Sequence, residues 1–343
     1  MTLEAHVETA PPPIRWGILG AGRIARSFVT DLLLLKDQTP AAVGSRSSGR
    51  AQQFAADFGI GSFYGSYAAL AADDSLDVIY VATPHSEHFE GARICLEAGR
   101  PVLVEKPFTV TAAETSQLIA LATSQRLFAM EAMWTRFNPI VREVTELVGG
   151  GAVGRVVAVQ ADLSGAADYS PEDRLWNPDL AGGALLDLGV YPLSFGSMLL
   201  GAPEEIKAVA AAGPTGVDAS TAVIARYPGG AIGLYYCGLW ARSPRVATIT
   251  GTHGMITVGS ATGAPFFKPD RYTLVPAHGE PRTKQVTLQG EGFTYEAAEV
   301  ARCLRAGLAE SPVMPLAGTL DVMRALDAAR AASGSIGPRH GVK

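Results

Sequence analysis

Between residues 14 and 131, short apolar runs alternate with longer segments whose apolar residues recur at helical spacing. "IRWGILG" (14–20) is a strand pattern closed by glycine, and "RIARSFVTDLLLL" continues as a helix. "AAVGS", "DVIYVAT", "PVLVE" and "LFAME" repeat the strand pattern. Between them, "GRAQQFAADFG", "HFEGARICLEAG" and "TAAETSQLIALATSQR" read as helices, the last opening on a Thr111/Glu114 capping box. Strands and helices alternating at this spacing predict βαβ units and a parallel sheet covered on both faces.

After about residue 150 the pattern changes. "GRVVAVQADLS", "EEIKAVAAAG", "STAVIARYPGGAIGLYYCGLW", "RVATITGTHGMITVG", "RYTLVPA" and "KQVTLQG" follow one another as strands, joined by turn signals such as "PGG" and "GTHG". This half predicts an antiparallel or mixed sheet open on one face, with helices returning in "YEAAEVARCLRAG" and "TLDVMRALDAARAAS". The expected architecture is α/β: a dinucleotide-binding domain over 14–133 and an α+β domain over 134–343. Residues 1–13, with Glu4, Glu8 and three prolines, read as a flexible tail without signal-peptide character.

Composition narrows the possibilities. The 343 residues are 48% hydrophobic and 18% charged, enough apolar material for two cores, and the net charge is −5. No basic block marks a nucleic-acid surface, and no unbroken apolar stretch reads as membrane-spanning. Cys95, Cys237 and Cys303 are odd in number and widely spaced, which suits reduced thiols in a cytoplasmic protein.

Candidate chemistry sits at the strand ends. Gly20, Gly22 and Ala25 form G-x-G-x-x-A after the first strand, where dinucleotide binding requires it. Gly20 permits the tight turn, Gly22 lets amides approach a pyrophosphate, and the helix N-terminus faces the phosphates. The second strand ends in Ser45 and Arg46, with Arg50 one turn on, where NAD sites often place a carboxylate. An arginine there pairs with a 2′-phosphate, so NADP is favoured, with NAD still possible. In "ATPHSEHFE", His85, Glu87 and His88 lack further ligands for a metal site, so no metal is expected. Thr83, Pro84 and His85 are placed on the nicotinamide side of the groove, with His88 packed beneath. "VLVEKPFTV" (102–110) sets Lys106 at the mouth of an apolar strand. An ammonium there would stabilise a phenolate and lower its pKa, and Pro107 biases Lys106 toward extended geometry and allows a cis bond.

"GILGAGRIA", "VATPHSEH", "LVEKPF", "EAMWTRFNP" and "GGALLDLGVYP" occur in that order over nearly the whole chain. Together they resemble the glucose–fructose oxidoreductase, inositol dehydrogenase and MocA family, nearest its branch of dimeric dihydrodiol dehydrogenases and NADP-dependent D-xylose 1-dehydrogenases. The resemblance implies a Rossmann domain, a second domain whose open sheet forms the subunit interface, and hydride transfer at a carbinol or carbonyl carbon. It places the catalytic lysine on Lys106. Tyr191 stands where a histidine is frequent, with Asp187 four residues earlier to bind a substrate hydroxyl or orient Lys106. Cofactor contacts are expected from Gly20, Ala21, Gly22, Arg23 and Ile24, from Ser45, Arg46, Arg50, Thr83, Pro84, His85 and His88, and from Glu105 and Lys106. Trp134 and Arg136 are expected near nicotinamide and substrate. Trp176 either covers the pocket or is an ordinary packed tryptophan. The 262–290 segment matches poorly. The expectation is a homo-oligomeric NADP-dependent dehydrogenase or reductase of a small polyol, aldose or vicinal diol. The alternatives are a non-catalytic dinucleotide sensor, which has no need of Lys106, Asp187 and Tyr191 together, and a redox-assisted glycosidase with bound NAD, against which Arg46 argues.

Overall fold

In the computed structural model, which describes residues 12–334, the first sheet is built from β1 (Ile14–Leu19), β2 (Gln38–Gly44), β3 (Ser62–Tyr64), β4 (Val78–Val81), β5 (Val102–Glu105) and β6 (Ala129–Ala132). All pairings are parallel, in the order β3-β2-β1-β4-β5-β6. Crossovers are α1 (Arg23–Leu32), α2 (Ser48–Phe58), α3 (Tyr67–Ala71), α4 (His88–Glu97) and α5 (Ala112–Gln125). β4, β5 and β6 are buried along their whole length, as strands covered on both faces must be. The order reverses between β1 and β4, and ligands of such sheets bind in the crevice at that switch point. The tail expected over 1–13 falls almost wholly outside the described residues.

The second sheet has eight strands: β7 (Val156–Ser164), β8 (Glu205–Ala212), β9 (Asp218–Arg226), β10 (Ile232–Gly238), β11 (Ala247–Gly251), β12 (Gly254–Val258), β13 (Arg271–Pro276) and β14 (Arg282–Gln285). Every pairing is antiparallel except β7 with β10, so the sheet is mixed. The Tyr227–Gly230 turn joins β9 to β10 as the sequence predicts. The remaining helices are α6 (Pro139–Gly149), α7 (Val190–Leu200), α8 (Phe293–Arg305) and α9 (Leu316–Ser333), and a π-helical turn, Leu185–Gly189, leads into α7. α7 and α9 pack on this sheet. The opposite face presents Val209, Ile224, Leu234, Tyr236 and Met255 to solvent, which is the open apolar face expected.

Some elements differ from the pattern reading. β3, α3 and α6 were not foreseen. β14 covers 282–285 rather than 284–290. α1 stops at Leu32, where successive turns (Leu34 N to Asp31 O, Leu35 N to Leu32 O) send the chain back toward β2. The stretch Pro178–Leu200 is long and apolar enough to cross a membrane by length and composition, yet it is mostly buried inside the protein.

The two domains are tied by Asp31 of α1. Its buried carboxylate accepts the N–H groups of Glu291, Gly292 and Phe293 at 2.8–2.9 Å, capping the start of α8. α8 packs on α1, and residues following β1, β4 and β5 share one cleft with residues of the second domain.

Candidate active site

At the switch point a cleft of about 730 Å³ opens between the domains. Its floor is the turn after β1. Gly20 has φ +107°, and a Cβ there would meet the Ala82 carbonyl oxygen at 2.6 Å, so only glycine fits. Gly22 is the N-cap of α1 and supplies no side-chain cap. The first-turn amides of α1 therefore face the cleft as anion donors, next to Arg23 and Ile24. A Cβ on Gly22 would meet nothing within 4 Å, which leaves room for a pyrophosphate to approach the backbone. These residues fit a bound dinucleotide.

The end of β2 forms the rim. Ser45 is buried and its hydroxyl accepts from Ser47 N at 3.2 Å. Arg46 reaches into solvent and pairs with Glu87 at 3.1 Å. Arg50 lies in the first turn of α2, its N–H capped by Ser47. Arg46 and Arg50 are thus on one rim, as expected, but Glu87 competes for Arg46. The sequence placed Glu87 only in a rejected metal cluster.

Three strand ends converge on the reacting corner. Lys106 follows β5, and the Lys106–Pro107 bond is cis. The Lys106 ammonium donates to Asp187 Oδ1 at 3.0 Å and to Asp187 O at 2.8 Å. It also lies over the Tyr191 ring, 4.8 Å from the centroid. Asp187 Oδ1 receives Arg174 Nη1 at 3.0 Å as well and faces His85 Nε2 at 3.5 Å. The π-helical turn and the first turn of α7 carry Asp187 and Tyr191 to the same wall. Trp134, from the turn after β6, donates its Nε1 to Tyr191 Oη at 2.9 Å and stacks on Phe293. Behind β5, Glu105 accepts the Lys106 N–H and the Tyr80 hydroxyl, which fixes the strand end that aims Lys106.

Burial and charge pull these groups in opposite directions. Burial opposes ionisation of Asp187, but Lys106, the His85 hydrogen bond and Arg174 outweigh it and hold the carboxyl well below its usual range. Burial likewise penalises the Lys106 ammonium, but the charge of Asp187 holds its pKa above the ordinary lysine value. His85 is lowered by burial, so the neutral ring is favoured. Tyr191 is raised: burial dominates, against the lowering effects of Lys106 and the Trp134 hydrogen bond. This reverses the sign expected from the sequence. The expectation counted the lysine charge and not the burial of the phenol, which outweighs it.

The other expected residues divide between the cleft and the interior. His88 is fully buried beneath the groove, bridging the Pro107 and Thr83 carbonyls at 2.7 and 3.0 Å. Thr83, Pro84 and His85 line the cleft at the end of β4. Trp134 acts on Tyr191 rather than on the cleft surface. Arg136 does not reach this cleft; it turns inward to α7, donating to Ser194 Oγ at 3.0 Å and Ser194 O at 3.2 Å. Trp176 does not cover the pocket. It is fully buried, donates to Asp168 O at 3.0 Å and packs against Tyr169 and Trp240. Arg174 and Phe267, which line the cleft, were missed. Arg174 comes from irregular chain between β7 and the π-helical turn, and Phe267 from the poorly matching segment, so neither carried a local signal.

Comparison with known proteins agrees with this geometry. Residues 14–132 match the GFO/IDH/MocA model for an oxidoreductase family with an NAD-binding Rossmann fold, and residues 141–257 match the C-terminal domain model of the same family. The chain is 38% identical over 338 residues to trans-1,2-dihydrobenzene-1,2-diol dehydrogenase of Mus musculus, covering 95% of this chain and 98% of that protein. It is also 38% identical over 363 residues to D-xylose 1-dehydrogenase (NADP(+)) of Hypocrea jecorina, covering 93% and 92%. In fold it matches aldose-aldose oxidoreductase from Caulobacter crescentus, with a TM-score of 0.85 at 21% identity over 94% of this chain and 98% of the other. Two family models in tandem on a Rossmann sheet and its companion, with the dinucleotide turn intact, lead to one assignment: the chain belongs to the GFO/IDH/MocA family of oxidoreductases.

Proposed function

We propose that this oxidoreductase uses NADP to transfer a hydride to or from a carbinol or carbonyl carbon of a small polyol, aldose or vicinal diol, with Tyr191 as its acid–base group. The observation that carries the reading is the convergence of Lys106, Asp187 and Tyr191 beside the dinucleotide turn. Full-length relatives named for diol and xylose oxidation support the substrate class, and Arg46 with Arg50 at the end of β2 supports NADP over NAD.

Bound nicotinamide supplies the hydride acceptor or donor. Tyr191 Oη takes the hydroxyl proton in oxidation and returns it to the carbonyl oxygen in reduction. Trp134 occupies one side of that oxygen and fixes its remaining directions toward the cleft. Lys106, held over the ring, stabilises the phenolate. Asp187 anchors Lys106 and, with Arg174, offers hydrogen-bonding groups to a second substrate hydroxyl. A raised Tyr191 stays protonated at neutral pH, so proton donation, and hence carbonyl reduction, is favoured there.

Two further expectations join this reading. The open face of the second sheet supports a homodimer, because a contiguous exposed apolar face of this kind marks an interaction site. Three buried, unpaired cysteines support a reducing, cytoplasmic setting. The test of the reading is NADP reduction with purified protein against a panel of aldoses, cyclitols and dihydrodiols. No turnover on any of them, with NADP bound, would count against it.

A further inference from the structure

A second cavity, of about 300 Å³, lies in the other domain between α6, α7 and the start of α9. Arg136 lines it although only 5% exposed. Its Nε and one terminal nitrogen are spent on Ser194, while Nη1 has no partner among the described residues. Nη1 lies 3.7 Å from where a Cβ on Gly318 would sit, so the glycine keeps the space in front of it open. Burial lowers Arg136 to about 10. The acid whose charge partly offsets this, Glu131, is itself pushed up to about 7 by burial. A buried guanidinium with a free edge is costly unless something takes that edge.

The rest of the wall has the same character. Arg142, on the exposed side of α6, lines the cavity and has no side-chain partner among the described residues. α9 is 18 residues long, and its N-cap Pro315 and Gly318 of its first turn line the cavity. The Leu316 N–H is taken by Glu310, while those of Ala317 and Gly318 have no partner among the described residues. One carboxylate shares the lining, Asp321, and it is paired with Arg324 at 3.5 Å. Two guanidinium groups, against Asp321 paired with Arg324 and the Glu310 carboxylate that already caps Leu316 N–H, leave a net attraction for an anion.

We propose that this cavity is an oxyanion site that takes a phosphate group, held by Arg136, Arg142 and the first turn of α9. Its occupant shares Arg136 with Ser194, one helical turn beyond Tyr191, so the site borders the helix that carries the reacting tyrosine. The proposal does not rest on the redox reading, since binding is read without turnover.

The test is calorimetric titration of inorganic phosphate, and separately of glycerol phosphate, into the full chain saturated with NADP. Saturation fills the cofactor groove and removes its own anion sites from the readout. Saturable binding at one site per chain is expected, weakened at least tenfold in Arg142→Glu, which lies outside the reacting corner. Gly318→Val, which fills the space before Arg136 from the opposite wall, should weaken it as well. Tighter binding of the monoester than of the free ion would identify a phosphorylated metabolite as the occupant; equal binding would identify phosphate itself. No saturable binding in the presence of NADP, or binding equally tight in both variants, would overturn the proposal.

Discussion

Asp187→Asn removes one charge while keeping the side chain's shape, and its effect on Tyr191 has a definite sign. In the native site the Lys106 ammonium donates to Asp187 Oδ1 at 3.0 Å while lying 4.8 Å from the tyrosine ring centroid. At that separation, and with an effective dielectric of about 20, a full positive charge attracts a phenolate by about 3.5 kcal/mol. The Asp187 charge opposes this attraction and so raises Tyr191, though less than burial does. The asparagine variant removes that opposing charge and leaves the lysine charge in place, which lowers the phenol's pKa. Oxidation requires the phenolate, so its rate climbs as pH rises through the Tyr191 titration, and that limb should move to lower pH in Asp187→Asn. The assay is kcat/KM for oxidation across pH 6–11 with NADP saturating, because kcat/KM reports the free site's titration. KM is expected to rise in parallel if Asp187 also holds a substrate hydroxyl, but the position of the limb is independent of that loss. A limb that stays in place or moves to higher pH would show that the Asp187 charge does not oppose the Lys106 ammonium at Tyr191.

Trp134→Phe deletes the donor to Tyr191 Oη while keeping an aromatic ring against Phe293, so the same limb should move to higher pH, opposite to Asp187→Asn. Arg46→Asp should weaken NADP by about 1.5–3 kcal/mol, toward the lower end because Arg46 is exposed and already shared with Glu87. Glu87→Gln should tighten NADP by freeing Arg46, and equilibrium titration of NADP and NAD against both variants checks the pair. Ile224→Lys places a charge on the open face of β9 and should convert a dimer into a monomer in sedimentation at micromolar concentration. A native protein that sediments as a monomer would remove the open-face argument.

What the sequence disclosed was local. The parallel sheet followed from apolar strands alternating with helical spacing, and the dinucleotide turn from Gly20 and Gly22 placed between the first strand and helix. Asp187 and Tyr191, four residues apart, were read on one helical face, and the π-helical turn leading into α7 presents both to Lys106. Missed elements had weaker or overlooked signals. β3 is three residues long at the sheet edge. α6 does carry a start signal, Asn138 capping Ile140 N with Pro139 at the first position. The site residues that escaped notice are those whose role exists only across the fold. Arg174 meets Asp187 from an irregular segment, and Glu87 meets Arg46 across the rim. Arg136 stands in one of the quoted motifs and Trp176 was offered as a pocket cover, yet both side chains turn away from the cleft, and no spacing rule encodes that direction. The sign of the Tyr191 shift was out of reach for the same reason: desolvation is a property of the assembled wall.

The central claim is that Tyr191 moves the proton, and Tyr191→Phe tests it most directly, since it deletes one oxygen and keeps the ring over which Lys106 lies. On the best substrate of the panel, the variant should lose about 10²–10⁴-fold in kcat, the range of general acid–base catalysis. Its affinity for NADP should match the native protein, and the limb of the oxidation profile assigned to the phenol should vanish. A Tyr191→Phe enzyme that turns over at the native rate with the same pH limb would contradict the account.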